Sequence, residues 1–107
     1  MKTYLKFIEL KSKIKFFCDS DCERLLELIA LRELNGNAMT VKQAMESGFI
    51  SPATIHRKLG LLRDVGYVKT VHQDLNRRTK FFKLTPMGKS YFSSLEATMN
   101  LAKEMTK

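Results

Sequence analysis

With 107 residues, 44% of them apolar and 28% charged, the chain fits one soluble globular domain with a single core and is too short for two. No apolar run approaches the length of a bilayer span, and the opening MKTYLKFIELKSKIKFF is broken by charge throughout, so it lacks the apolar centre of a signal peptide and the expected location is the cytosol. A net charge of +8 points to a polyanionic partner, and its distribution sharpens the point. Residues 51–90 carry nine Lys or Arg against only Asp64 and Asp74, whereas residues 18–50 carry three basic residues against six acidic ones.

Residues 1–17 have two readings. Met1, Tyr4, Leu5 and Ile8 fit one helical stripe and Leu10, Ile14 and Phe17 another, while Ile8 to Phe16 also alternate as a strand would. A helix over residues 2–14 is the working expectation. Cys18 and Cys22 follow, in CDSDC. Two cysteines are too few for a disulfide scaffold, and no histidine stands near to complete a zinc site, so they read as ordinary thiols. A redox switch is the rival reading, and the flanking Asp19, Asp21 and Glu23 oppose it because nearby negative charge disfavours a thiolate.

Ser20 or Asp19 caps a helix over residues 20–34, with Leu25, Leu28, Ile29 and Leu31 as its apolar stripe and Asn35-Gly36-Asn37 as its stop. Thr40-Val41-Lys42-Gln43 is a capping box that starts a short helix ending at Glu46 or Ser47. After the turn Gly48-Phe49-Ile50, Ser51-Pro52 starts a longer helix that Gly66 ends. Residues 67–72 and 80–84 read as the strands of a hairpin, joined by a polar, basic connection over 73–78. Thr85-Pro86 repeats the cap-plus-proline device and starts a last helix over 86–104.

On a helical wheel Ile55, Leu59 and Leu62 form the core stripe of the helix that begins at Ser51. Ala53, Arg57, Gly60 and Asp64 lie opposite, with Thr54 and Leu61 on one edge and His56 on the other. Small, hydroxyl, imidazole and guanidinium groups on an outward face suit close approach to base edges and phosphates. A short capped helix, a turn, a longer capped helix and a basic hairpin make a winged helix-turn-helix, mainly α with a small β-hairpin wing.

SPATIHRKLGLLRDVGYV and DLNRRTKFFKLTPMGKSYF together resemble the winged helix-turn-helix of MarR-type transcriptional regulators. The matching features are Thr54-Ile55-His56-Arg57, the junction Leu62 to Val68, the wing Asp74 to Arg78 and Leu84-Thr85-Pro86-Met87-Gly88, within residues 22–92. The resemblance implies sequence-specific binding of double-stranded DNA by a homodimer. Residues 51–65 would enter the major groove, and a wing of residues 73–79 would reach the minor groove or backbone. The whole of 1–107 is then one DNA-binding domain, with residues 1–17 and 86–107 as dimerisation helices. The expected DNA-facing set is Thr40 and Gln43, then Ser51, Ala53, Thr54, His56, Arg57 and Lys58, then Arg77, Arg78 and Lys80. Members of the family often bind small aromatic effectors between lobes; the short flanks here leave little chain to build such a pocket.

Plainer readings stand beside these. Arg77 and Arg78 can be a solvated turn, and Arg57 can pair with Asp64 or Asp74. No glycine-rich phosphate loop, metal-ligand spacing or Ser/His/Asp arrangement occurs, so neither an enzyme nor a bound cofactor is expected. The alternatives to a transcriptional regulator are a winged-helix protein-interaction or replication module that reads no bases, and a redox sensor built on Cys18 and Cys22.

Overall fold

A computed structural model describes residues 1–48, 50–73 and 76–107; the side chains of Gln73, Asn76, Arg77 and Arg78 also lie outside the description. The elements in chain order are α1 (Lys2–Lys11), α2 (Ser20–Leu34), α3 (Val41–Met45), α4 (Pro52–Val65), β1 (Val68–Gln73), β2 (Asn76–Leu84) and α5 (Pro86–Met105). The core lies where α2, α4 and the hairpin base meet. Leu25, Leu26, Ile29, Ile55 and Leu62 are fully buried there, with Met39, Tyr67, Val68 and Phe82 closing its sides.

The caps read from the sequence form as hydrogen bonds. The side chains of Thr40, Ser51 and Thr85 each accept from the backbone N–H three residues on, at Gln43, Thr54 and Gly88. Gln43 reaches back to the Thr40 N–H and completes the capping box. Asp19, not Ser20, caps α2 by accepting from the Cys22 N–H at 3.0 Å. Gly66 ends α4 at φ +106°, a left-handed conformation that suits glycine.

α1 is shorter than expected, and the strand alternative for its C-terminal part does not form. The Ser12 hydroxyl donates to the Glu9 carbonyl at the helix end, and the chain then dips so that Ile14 and Phe16 reach the core. Phe16 stacks on Tyr67 with ring centroids 4.9 Å apart and lies 5.0 Å from Tyr91. The α2 stripe is rotated from the expected one. Cys22 and Leu26 are buried, whereas Leu31 is 56% exposed, because α4 packs against the Cys22–Leu26–Ile29 side.

The hairpin is longer than the sequence suggested. β1 and β2 pair antiparallel from Val68 opposite Leu84 to His72 opposite Lys80, with a bulge between His72 and Gln73. Arg77 and Arg78, expected in the connection, fall within the span of β2. The register shifts across that stretch, and its polar residues carry no hydrophobic alternation that could have marked a strand. Residues 39–40 add a short edge: the Phe82 N–H donates to the Met39 carbonyl at 2.8 Å, and Thr40 bridges to Phe81.

Cys18 and Cys22, expected as ordinary thiols, form a disulfide. Cys18 lies before the cap and Cys22 in the first turn of α2, with Cα atoms 5.8 Å apart, within bridging range.

Candidate nucleic-acid interface

α3, the turn after it and α4 form a helix-turn-helix, and the hairpin stands beside α4. Between them runs a cleft of about 510 Å³. Its floor is Val41, Leu59 and Phe82, and Thr40, Thr70 and Thr79 supply hydroxyls. Lys42, His56, Arg63 and Lys80 stand around it, and among the described residues no carboxylate lines it. Gly60 sits among them, where a Cβ would meet no atom within 4 Å. A channel with cationic walls and an apolar floor, open along one side, suits a polyanionic strand.

The expected residues divide into groups. Thr40, His56 and Lys80 line this cleft. Ala53 and Arg57 are exposed on α4, and Arg57 pairs with no described residue. Asp64 has Arg63 at 4.0 Å instead. Ser51 is exposed and Thr54 half-buried, and their hydroxyls bond each other at 2.8 Å while Ser51 caps the helix. Gln43 is engaged by the capping box and by Arg32, which donates to its side-chain oxygen at 2.8 Å.

Lys58 is turned away from the exposed face. Its side chain is 12% exposed and ion-pairs with Asp19. The Lys58 ammonium, and then the Cys22 N–H, hold the Asp19 carboxyl below the usual carboxylate range. The side chains of Arg77 and Arg78 lie outside the described residues.

Lys42 and Arg63 were missed by sequence reasoning. The signal for Arg63 was available, since His56, Gly60 and Arg63 follow one another at helical spacing along one edge of α4. The signal for Lys42 was not, because its proximity depends on how α3 packs beside the hairpin. Among the described residues, Cys18, Asp19 and Cys22 bring potential metal-ligating atoms within 4.8 Å of one another. In this state both sulfurs are in the disulfide, and Asp19 is held by Lys58 and the Cys22 N–H.

These elements define a winged helix-turn-helix. Neither protein-family models nor curated proteins match the sequence. Solved structures do match, and the fold is that of MarR-family regulators. A transcriptional regulator from Thermotoga maritima superposes with a TM-score of 0.71 at 12% identity, over 97% of this chain and 70% of that one. FabT from Streptococcus pneumoniae, solved in complex with DNA, gives 0.64 at 16% identity over 97% and 68%. MarR itself gives 0.60 at 14% identity over 95% and 67%.

Proposed function

We propose that this chain is a transcriptional regulator that binds double-stranded DNA as a homodimer. α4 enters the major groove with Ser51, Ala53, Thr54, His56 and Arg57 towards the bases. The hairpin, with Arg77, Arg78 and Lys80, lies at the minor groove or backbone. The observation that carries the reading is the cleft between α4 and the hairpin, where Lys42, His56, Arg63 and Lys80 gather with no opposing carboxylate among the described residues. One backbone strand of the duplex fits there, with Gly60 leaving room for its approach.

The ends of the chain support the dimer. α1 has no buried residue and packs along α5. Tyr4, Leu5, Ile8, Met99, Leu101 and Met105 remain exposed along this pair of helices, which a second copy would cover. A two-fold dimer presents two copies of α4 to an inverted-repeat site, about 34 Å apart. Among the described residues no helix is long and apolar enough to cross a membrane, as suits a regulator at work on cytoplasmic DNA.

Fluorescence anisotropy on a random-sequence duplex across a salt series tests this reading. The variants are Arg63→Ala/Lys80→Ala from the cleft, Arg77→Ala/Arg78→Ala from the wing, and Lys13→Ala/Lys103→Ala as a charge-matched control of exposed residues. The cleft and wing variants should lose affinity and flatten the log–log salt slope by roughly 0.9 per lost phosphate contact, with the control unchanged. Equal behaviour of all three would mean bulk charge alone, and would favour a protein-interaction module.

A further inference from the structure

We propose that the Cys18–Cys22 bond is a reversible redox clasp on α4, and that opening it weakens duplex binding by the face α4 carries. The consequence for DNA rests on the function proposed above; the clasp itself does not.

The disulfide meets α4 at one residue, by two routes. Cys22 Sγ lies 3.9 Å from the Lys58 carbonyl oxygen. Asp19, inside the loop that the disulfide closes, ion-pairs with the Lys58 ammonium while it caps α2 through the Cys22 N–H. The loop spans a sequence separation of only four, so the bond constrains the cap and not distant parts of the chain. Cys18 is half-buried and Cys22 fully buried, which leaves Cys18 as the sulfur that a small reagent meets first.

Two of the three carboxylates that flank the cysteines are offset by lysines. Asp19 is neutralised by Lys58, and Glu23 accepts from Lys11 at 2.8 Å. Only Asp21 of the three flanking carboxylates is without a lysine partner among the described residues.

The chemistry is ordinary thiol–disulfide exchange. A thiolate of a dithiol reductant attacks Cys18 Sγ, the S–S bond breaks, and Cys22 leaves as a thiolate that takes up a proton. The second thiol of the reductant then attacks the mixed disulfide, forms the reductant's own disulfide and releases Cys18 as a thiol. In the reverse direction a Cys18 thiolate attacks hydrogen peroxide to give a sulfenic acid and hydroxide, which takes up the thiol's proton to become water. Cys22 then displaces a second water and closes the bond. Opening frees residue 18 from α2 and relaxes the loop that carries Asp19.

The test uses the full chain, oxidised with hydrogen peroxide or reduced with dithiothreitol, beside Cys18→Ser/Cys22→Ser and Asp19→Asn. Asparagine keeps the cap and removes the ion pair. Intact mass after alkylation reports the redox state, amide hydrogen exchange reports α4, and anisotropy on the random duplex reports affinity. The expected result is faster exchange around Lys58 and an affinity loss of about fivefold or more on reduction, reversed by peroxide. The double serine variant should hold the reduced value under both reagents, and Asp19→Asn should lose the response. Failure of the bond to open and re-form, unchanged exchange in α4, or equal duplex affinity in the two states overturns the proposal. If exchange in α4 responds but the duplex is bound in neither state, the DNA-binding function falls, and with it the proposed effect on DNA, while the clasp on α4 stands.

Discussion

Tyr91 is buried between Phe16, Tyr67 and Phe92, and this burial, reinforced by the Glu23 carboxylate, pushes its phenol above the ordinary range. The unfolded chain ionises first as pH rises past about 10, so the stability that depends on a neutral Tyr91 is present below that pH and lost above it. Alkaline unfolding followed by circular dichroism should begin in that range and move to higher pH in Tyr91→Phe. Gly88 is fixed by a different constraint. A Cβ there would run into the Tyr67 carbonyl oxygen, which already accepts from the Thr85 N–H at 3.1 Å. Gly88→Ala should destabilise by about 2 kcal/mol or more in urea melts, as overpacking against backbone does. Gly60 is the opposite case. Gly60→Ala meets no atom and removes a helix-interior glycine, so it should stabilise by about 0.5–1 kcal/mol. Gly60→Leu should keep the fold yet weaken duplex binding, because its side chain occupies the cleft. Unchanged affinity in Gly60→Leu would remove the cleft from the interface.

Helix starts were the most legible elements. Thr40, Ser51 and Thr85 announce themselves by residue type and by the glutamine or proline that follows, and each cap depends on residues within one turn. Thr85 is tied further, since its hydroxyl donates to the Gly66 carbonyl at the end of α4. Thr85→Ala removes both bonds and should cost about 1–2 kcal/mol, read as a lower thermal midpoint. Ser51→Ala loses the cap alone and should cost about 1 kcal/mol. The extent of β2 was not legible. Its first residues are Asn, Arg, Arg and Thr, which show no hydrophobic alternation, and the register with β1 shifts between the Asn76 and Lys80 pairings.

The molecule is 52 Å long because α1 and the far half of α5 extend away from the core as a pair of helices. The Thr3 and Thr106 hydroxyls bond at 2.8 Å near its tip, and Ala102 is buried within it. Two helices cannot cover both apolar faces, so this arm should pair with that of another copy. Light scattering at micromolar concentration should give a dimer for the native chain. Leu5→Glu/Leu101→Glu, at positions 56% and 50% exposed, should give a folded monomer with weaker duplex binding. A native monomer would count against the homodimer.

The sequence by itself determined the order of helices, their caps, the Ile55–Leu59–Leu62 core stripe, the presence of a hairpin and the basic character of its second half. All of these rest on interactions within a few residues or on composition. The tertiary structure decided what depends on distant segments meeting. Lys58 carries the same charge as Arg57 one position earlier, yet Asp19 draws it off the exposed face. Leu31 matches Leu28 in chemistry, yet the side that α4 covers leaves it outside. The cleft joins Lys42, Arg63 and Lys80 from three elements, and the Cys18–Cys22 bond required the chain to leave helical geometry before Asp19. Local pattern specifies which face of a helix is apolar; only packing specifies which neighbour, charged or apolar, that helix meets.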